Sequence, residues 1–412
     1  MKTLKNKIIV AFIALGLAAG GYYFFAKPKQ HKHVYYGDVS FDVYAESDKT
    51  HMILFERQKR EKQKSLQKLT YIRFDENMNE SRHELNIDFN EEIISKRTND
   101  IQIAAYKNNI AILWEVKGTG FKNRGPIRSA YSTDGGKSWL KGQNPVDTNS
   151  MAGQAFFDIV SDSRGIFHIT WLDTRDEVKG LRYAYSKDKG NTWSKNVTVD
   201  KASCFCCWNV IKANKENEIF ILYRNEKPRD MAFIKVNLNA ETDDVAYDFM
   251  GHVDKFNWGF EGCPHVGAGF SFDDNNRIHA VTWTGEKDVS GVYYQNSNDK
   301  GKSFTEAEKM GTSFASNPDV AVNGKEVVVV WDQIKNEKKV VMTSVSKDAG
   351  KTWSKPVIIS DENTMSMYAK VIFTNQKYHV FYSEKTGHDF KYKKYELNNR
   401  LNAYKKSVKE VK

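Results

Sequence analysis

Short apolar runs recur along the chain, each closing on an aromatic residue: MILF at Phe55, IAILW at Trp114, FHITW at Trp171, IFILY at Tyr223, HAVTW at Trp283, VVVVW at Trp331 and YHVFY at Tyr382. Successive endings lie 48 to 60 residues apart. Runs this short, rich in β-branched and aromatic residues and bounded by Asn, Asp, Gly and Lys, predict strands rather than helices. Each interval parses into four strands, as residues 318–360 illustrate with PDVAV, EVVVVW, KVVMTSVS and KPVIIS. A self-similar four-strand unit of this period has the length of a propeller blade. The pattern predicts an all-β chain folded as a single β-propeller, with about seven units between Val34 and Asn398. Closing such a ring removes exposed strand edges, so HVYYGDV near residue 33 is expected to pair beside FKYKKYEL, which ends at Leu397.

A second repeat runs through the first. Residues 132–139 (STDGGKSW), 186–193 (SKDKGNTW), 297–304 (SNDKGKSF) and 346–353 (SKDAGKTW) share the string S-x-D-x-G-x-[ST]-[WF]. Its chemistry is that of a hairpin turn. The Asp carboxylate folds back onto backbone N–H groups, the Gly takes positive φ without a Cβ clash, and the aromatic residue anchors the next strand. Asp134, Asp188, Asp299 and Asp348 are therefore structural residues in this reading.

That string at blade spacing resembles the Asp-box, or BNR-repeat, family, whose best known members are sialidases. The resemblance implies a propeller of four-stranded blades with the box between the third and fourth strands. Sialidases have six blades, against the seven favoured here. They grip a substrate carboxylate with three arginines, use a Tyr–Glu pair as nucleophile and an Asp as acid/base, and carry Arg-Ile-Pro before the first box. This chain has no Arg-Ile-Pro, and after Arg229 it holds only Arg277 and Arg400. Two of the family's arginines come from late blades, and Lys lacks the planar fork that binds a carboxylate in two places. Whether the protein is an enzyme stays open.

The amino end places this propeller outside the cytoplasm. Ile8 to Ala26 carries no charge and follows Lys2, Lys5 and Lys7, the pattern of an export signal or signal anchor. Residues 1–33 are assigned to this segment and its juncture, 34–398 to the propeller and 399–412 to a polar tail. The protein is expected to be exported, either anchored in the membrane and facing outward or secreted. Its excess of 62 Lys and Arg over 52 Asp and Glu gives a net charge of +10. These charges are scattered, with no basic stripe to recruit nucleic acid.

Strands alternate in direction, so loops after second and fourth strands share the face opposite the boxes. That face collects the unusual residues. Cys204, Cys206, Cys207 and Trp208 follow one fourth strand, and Trp258, Glu261, Cys263 and His265 follow the next. Arg224, Arg229 and Asp230 follow the intervening second strand, and Asp173 and Arg175 lie on its neighbour. A C-x-C-C segment with a Cys-Pro-His loop resembles a subgroup of exported sialidase-like proteins. In an oxidising compartment the cysteines are expected to form disulfides stapling these loops. The alternative is a metal site for Cu or Zn formed with His265. Arg175, Arg224 and Arg229 either order the loops by ion pairing or, with Trp208 or Trp258 as a stacking surface, bind a glycan or a small anionic ligand. A glycoside hydrolase is the other function class, with Asp173, Asp230 and Glu261 as carboxylate candidates.

Overall fold

The computed structural model describes residues 36–397, apart from 47, 61–64, 88–89, 96–100, 121–122, 149, 176–179, 205 and 263. The apolar segment Ile8 to Ala26, the tail and Cys263 lie outside the described residues. Among those described, no helix is long and apolar enough to cross a membrane.

The described chain is all-β, and its strands assemble into antiparallel sheets in sequence order. Four sheets have four strands each. The first runs Gln154–Ser161, Phe167–Asp173, Gly180–Ser186, Val197–Asp200, and the next Val210–Ala213, Ile219–Arg224, Met231–Leu238, Val245–His252. They are followed by Gly269–Phe272, Ile278–Thr284, Gly291–Ser297, Glu308–Lys309, and by Ala315–Asn323, Glu326–Lys335, Lys338–Ser346, Val357–Ile358. Before them, Ile93–Ile94 and Ile101–Tyr106 both pair with Asn109–Lys117, which continues into Arg124–Ser132 and Leu140–Lys141. All seven aromatic-ended runs are second strands of such groups, and most of their residues are buried.

The chain ends meet in the remaining sheet. Met365–Thr374, Lys377–Thr386 and Asp389–Glu396 continue into Tyr36–Ala45, Thr50–Gln58, Leu66–Phe74 and Glu80–Glu84. The junction is short and parallel, with Tyr36 opposite Asp389 and Gly37 opposite Phe390. Gly37 has φ of +73°, and a Cβ there would lie 2.3 Å from the Phe390 carbonyl oxygen, so only glycine fits this approach. From Gly37 onward the same strand also pairs with Thr50–Gln58, with a register shift between Asp38 and Ser40. One strand thus closes the ring and opens the first group. Tyr392–Leu397 belongs to the folded body, with Leu397 buried.

First strands pack side by side in cyclic order, from Tyr36–Ala45 through each group to Met365–Thr374 and back. They are not sheet partners, so N–H groups facing the axis need other acceptors. Asp42, Asp158 and Asp319 supply them. Their carboxylates accept from Ile103 N at 2.9 Å, Ile211 N at 2.8 Å and Val371 N at 2.9 Å, each on the next first strand. Asp158 and Asp319 follow β-bulges whose positive φ falls at Phe156 and Asn317. Lys370, placed alike after Tyr368, pairs with Asp42 and joins the last first strand to the first. These residues line an axial cavity of about 170 Å³. Burial, with the charge of Asp42, pushes Asp158 up to about 6.

The four S-x-D-x-G turns share one geometry. Ser132 Oγ donates to Asp134 Oδ1 at 2.8 Å and accepts from Gly136 N at 2.9 Å, and Asp134 also accepts from Ser138 N and Oγ. The other three repeat this network around Asp188, Asp299 and Asp348. Each turn also docks on the preceding group. A Cβ at Gly136 would lie 2.2 Å from Tyr71, and one at Gly350 would lie 2.0 Å from the Tyr294 hydroxyl. Trp139 meets Tyr71 edge-on at 5.5 Å, and Phe304 stacks on Phe233 at 5.6 Å. The turn aspartates accept hydrogen bonds that close these turns, and the motif glycines permit the contact between groups.

Candidate functional site

Three loops converge on the face opposite those turns, all attached to the group Val210–Ala213 to Val245–His252, which lacks the repeat between its third and fourth strands. The loop before its first strand carries the cysteines. Cys204 N donates to Arg224 O at 2.9 Å, and Glu226 N to Ala202 O at 2.8 Å, seating that loop on the second-to-third-strand loop. Arg229 N donates to Trp258 O at 2.8 Å, and Asp230 accepts from Asn257 N at 2.9 Å and Trp258 N at 3.2 Å, which seats the third loop.

At the centre stands Arg224, 1% exposed. It donates to Arg229 O at 2.6 Å and Trp283 O at 2.8 Å, and its guanidinium lies 5.3 Å from the Trp258 ring centre. Such a cation is held by carbonyl dipoles and aromatic faces, and those donors clamp the loops together. Trp258 is equally enclosed. Phe260 stacks on it at 5.3 Å with planes 9° apart, and Trp283 meets it at 5.3 Å and 83°. Trp208 is buried against Phe156 at 5.0 Å. Neither tryptophan offers an open stacking face, because closing the loops consumes their area. The exposed ring is Phe260, 43% accessible.

Cys204, Cys206 and Cys207 lie within an apolar cluster with Trp208, Phe156 and Tyr223. Their sulfur atoms all lie within 4.8 Å of one another. Cys204 Sγ is 3.4 Å from that of Cys206 and 3.9 Å from that of Cys207, and it accepts from Arg229 Nη1 at 3.0 Å. A disulfide needs about 2.05 Å, so these three are free thiols. The stapling disulfides expected of Cys204, Cys206 and Cys207 are therefore not formed, and Cys263 itself lies outside the described residues. Burial raises the Cys207 thiol, but hydrogen bonds from Cys204 and Cys206 and the charge of Arg224 reverse this and hold it well below the usual range. Cys204 gains from its bond with Cys206, yet its bond to Cys207 and its burial push it up to about 12. His265 Nδ1 lies 2.9 Å from Cys206 O, with its ring stacked on Phe156.

The other candidates separate. Asp173 is buried between Arg175 and Arg182 and accepts from Trp171 Nε1 at 2.9 Å, while Arg175 reaches Asp147 and Asn196. That network orders its own loop. Glu261 is exposed beside Phe260. Asp173, Asp230 and Glu261 thus occupy three environments, an arginine pair, a loop cap and solvent.

Sequence reasoning missed Phe260 and Asp254. Phe260 follows Trp258 by two residues, the one signal available. Asp254 is 1% exposed and accepts from Met231 N at 2.8 Å. Burial and the charge of Asp230 push it up to about 7. With His252, Lys255 and Asn257 it lines a cavity of about 380 Å³ that extends to Lys302 and Phe304 of the 297–304 turn.

Sheets around an axis, with loops gathered on one face, define a β-propeller of sialidase-like fold. No family model matches the chain, and neither does any curated protein. Among solved structures, an ulvan lyase from a new polysaccharide lyase family aligns with a TM-score of 0.60 at 10% identity, covering 88% of this chain and 94% of its own. A second polysaccharide lyase aligns at 0.53 and 10% identity, over 88% and 91%. The sialidase of Trypanosoma rangeli reaches 0.50 at 10% identity, over 91% of this chain and 57% of its own. At such identity the likeness is one of fold, and function has to be argued from the site.

Proposed function

We propose that this protein is an exported, membrane-anchored or secreted Asp-box propeller of seven blades that binds an anionic glycan on the face carrying the Cys, Trp and Arg loops. The observation that carries the reading is the Phe260–Trp258 stack, whose outer ring is exposed while its inner ring is fixed by Trp283 and Arg224. A partly exposed aromatic on a fixed support, with Gly262 against its tip, suits the apolar face of a sugar ring, because little side-chain entropy is lost on contact. Exposed Lys255, on the same loop as Phe260, suits a carboxylate or sulfate substituent. The ulvan lyase was solved with the repeating unit GlcA(1-4)Rha3S, a ligand of that chemistry on a similar fold. Binding without sialidase-type hydrolysis fits the arginines, since Arg224, Arg229 and Arg175 are engaged by carbonyls, Cys204 and Asp173.

Calorimetric titration with oligosaccharides of that repeating unit and with sialyl-oligosaccharides tests this. Binding is expected with no change in the sugar, and Phe260→Ala should weaken it at least tenfold while leaving the melting temperature within about 2 °C, because an exposed ring adds little to stability. Equal binding by the variant overturns the placement of the site, and release of sialic acid moves the protein to the hydrolase alternative.

A further inference from the structure

We propose that Cys204, Cys206 and Cys207 bind one Cu(I) ion as a buried three-thiolate site. The sulfur spacing fits. Three thiolates around one ion at about 2.3 Å stand about 4 Å apart in a plane, and Cys204 Sγ lies 3.4 and 3.9 Å from its two neighbours. The surroundings fit too. All three side chains are buried, at 2%, 3% and 0% exposure, in a cluster whose other members are apolar. Soft thiolates in such surroundings favour Cu(I) and Zn(II) over hard cations.

Coordination number chooses between those two. Among the described residues these three sulfurs are the ligand atoms that converge. Arg229 Nη1 sits 3.0 Å from Cys204 Sγ and offsets part of the thiolate charge. Trigonal three-coordination suits a closed-shell monovalent ion, which has no need of a fourth ligand. Binding is a simple exchange: the ion enters, the thiols release their protons, and no electron is transferred. An occupied site keeps the sulfurs reduced where free thiols would oxidise. This inference concerns different side chains from the glycan reading, and either stands without the other.

The test uses the full chain, purified anaerobically and loaded with Cu(I) as its acetonitrile complex. Bicinchoninate serves as the competing chelator. One equivalent of copper per chain should resist the competitor, and Cys204, Cys206 and Cys207 should become protected from alkylation, as read by peptide mass. Cys204→Ser and Cys207→Ser should each lower the affinity at least a hundredfold. Should either variant fail to fold, the alkylation map of the unaltered protein with and without copper still decides. Three outcomes overturn the proposal: no copper retained, one equivalent of Zn(II) that Cu(I) does not displace, or a disulfide between any two of the three cysteines in the anaerobic protein.

Discussion

Replacing Asp254 with Asn should remove one component of the pH dependence of folding. Asp254 is almost fully buried and accepts from Met231 N. Burial, then the charge of Asp230, pushes its pKa up to about 7, against the opposing charge of Arg224 and the hydrogen bond from Met231. In the unfolded chain the same carboxyl titrates near about 3.9. The folded value lies above the unfolded one, so the unfolded state releases its proton first. Stability from this group is therefore complete below about pH 4 and declines until the folded carboxyl ionises near pH 7. The slope is about 1.4 kcal/mol per pH unit, so raising the pH from 5 to 7 costs about 2–3 kcal/mol through Asp254 alone. Asn is uncharged throughout and keeps an oxygen for Met231 N. Urea unfolding of both proteins at pH 5, 6, 7 and 8 measures the difference. The wild type should lose about 2–3 kcal/mol more than the variant between pH 5 and 7 and run parallel above pH 8. Asp158 and Asp332, each pushed up to about 6 by burial, titrate in both proteins and cancel. Curves parallel over the whole range would mean that Asp254 is ionised in the native protein and that its loop is far wetter than the packing indicates.

Trp139→Ala should cost about 3–5 kcal/mol in urea unfolding, as for a large buried aromatic, whereas half-buried Trp193 should cost roughly half as much. Gly350→Ala should lower the melting temperature well beyond Gly324→Ala: both have positive φ, but only at Gly350 does the new Cβ meet a neighbour, at 2.0 Å. Lys370→Met removes the cation from among Asp42, Asp158 and Asp319 and should cost about 3 kcal/mol. That cost should be larger at pH 8 than at pH 5, where Asp158 takes up a proton.

The strand pattern was legible because burial of a second strand demands an unbroken apolar run, and all seven runs declare themselves. The turn chemistry was legible because Asp134 and its counterparts act within a few residues of their own position. What lay hidden was every relation across groups. Nothing local says that Gly136 faces Tyr71, that Asp42 serves Ile103, or that one strand both closes the ring and begins it. The site divided in the same way. Loop placement by strand alternation brought Cys204, Arg229, Trp258 and His265 into one sector, and the structure joins them by hydrogen bonds and stacking. Exposure was not legible, because whether Trp258 is a surface or a support depends on Phe260 and Trp283 closing over it.

This group shares the lack of an S-x-D-x-G turn with the first and last groups, but here the chain fills the position differently. At Gly136 and Gly350 the turn glycine lies close against an aromatic residue of the preceding group. Here residues 239–244 take the place of a box, and Tyr185 reaches Asp243 Oδ1 at 2.7 Å instead. The preceding strand is thus covered by polar contacts, with Lys187 pairing with Asp243 and donating to Ala240 O, in place of a packed aromatic turn residue. On the opposite face Arg224 ties the Trp283 carbonyl of the next group to the Arg229 carbonyl of its own. Structural anchoring and the chemically unusual side chains therefore coincide in one place. Substitutions of Arg224 should change the thiols, the Phe260 platform and folding together, whereas Phe260 and the cysteines can each be altered separately.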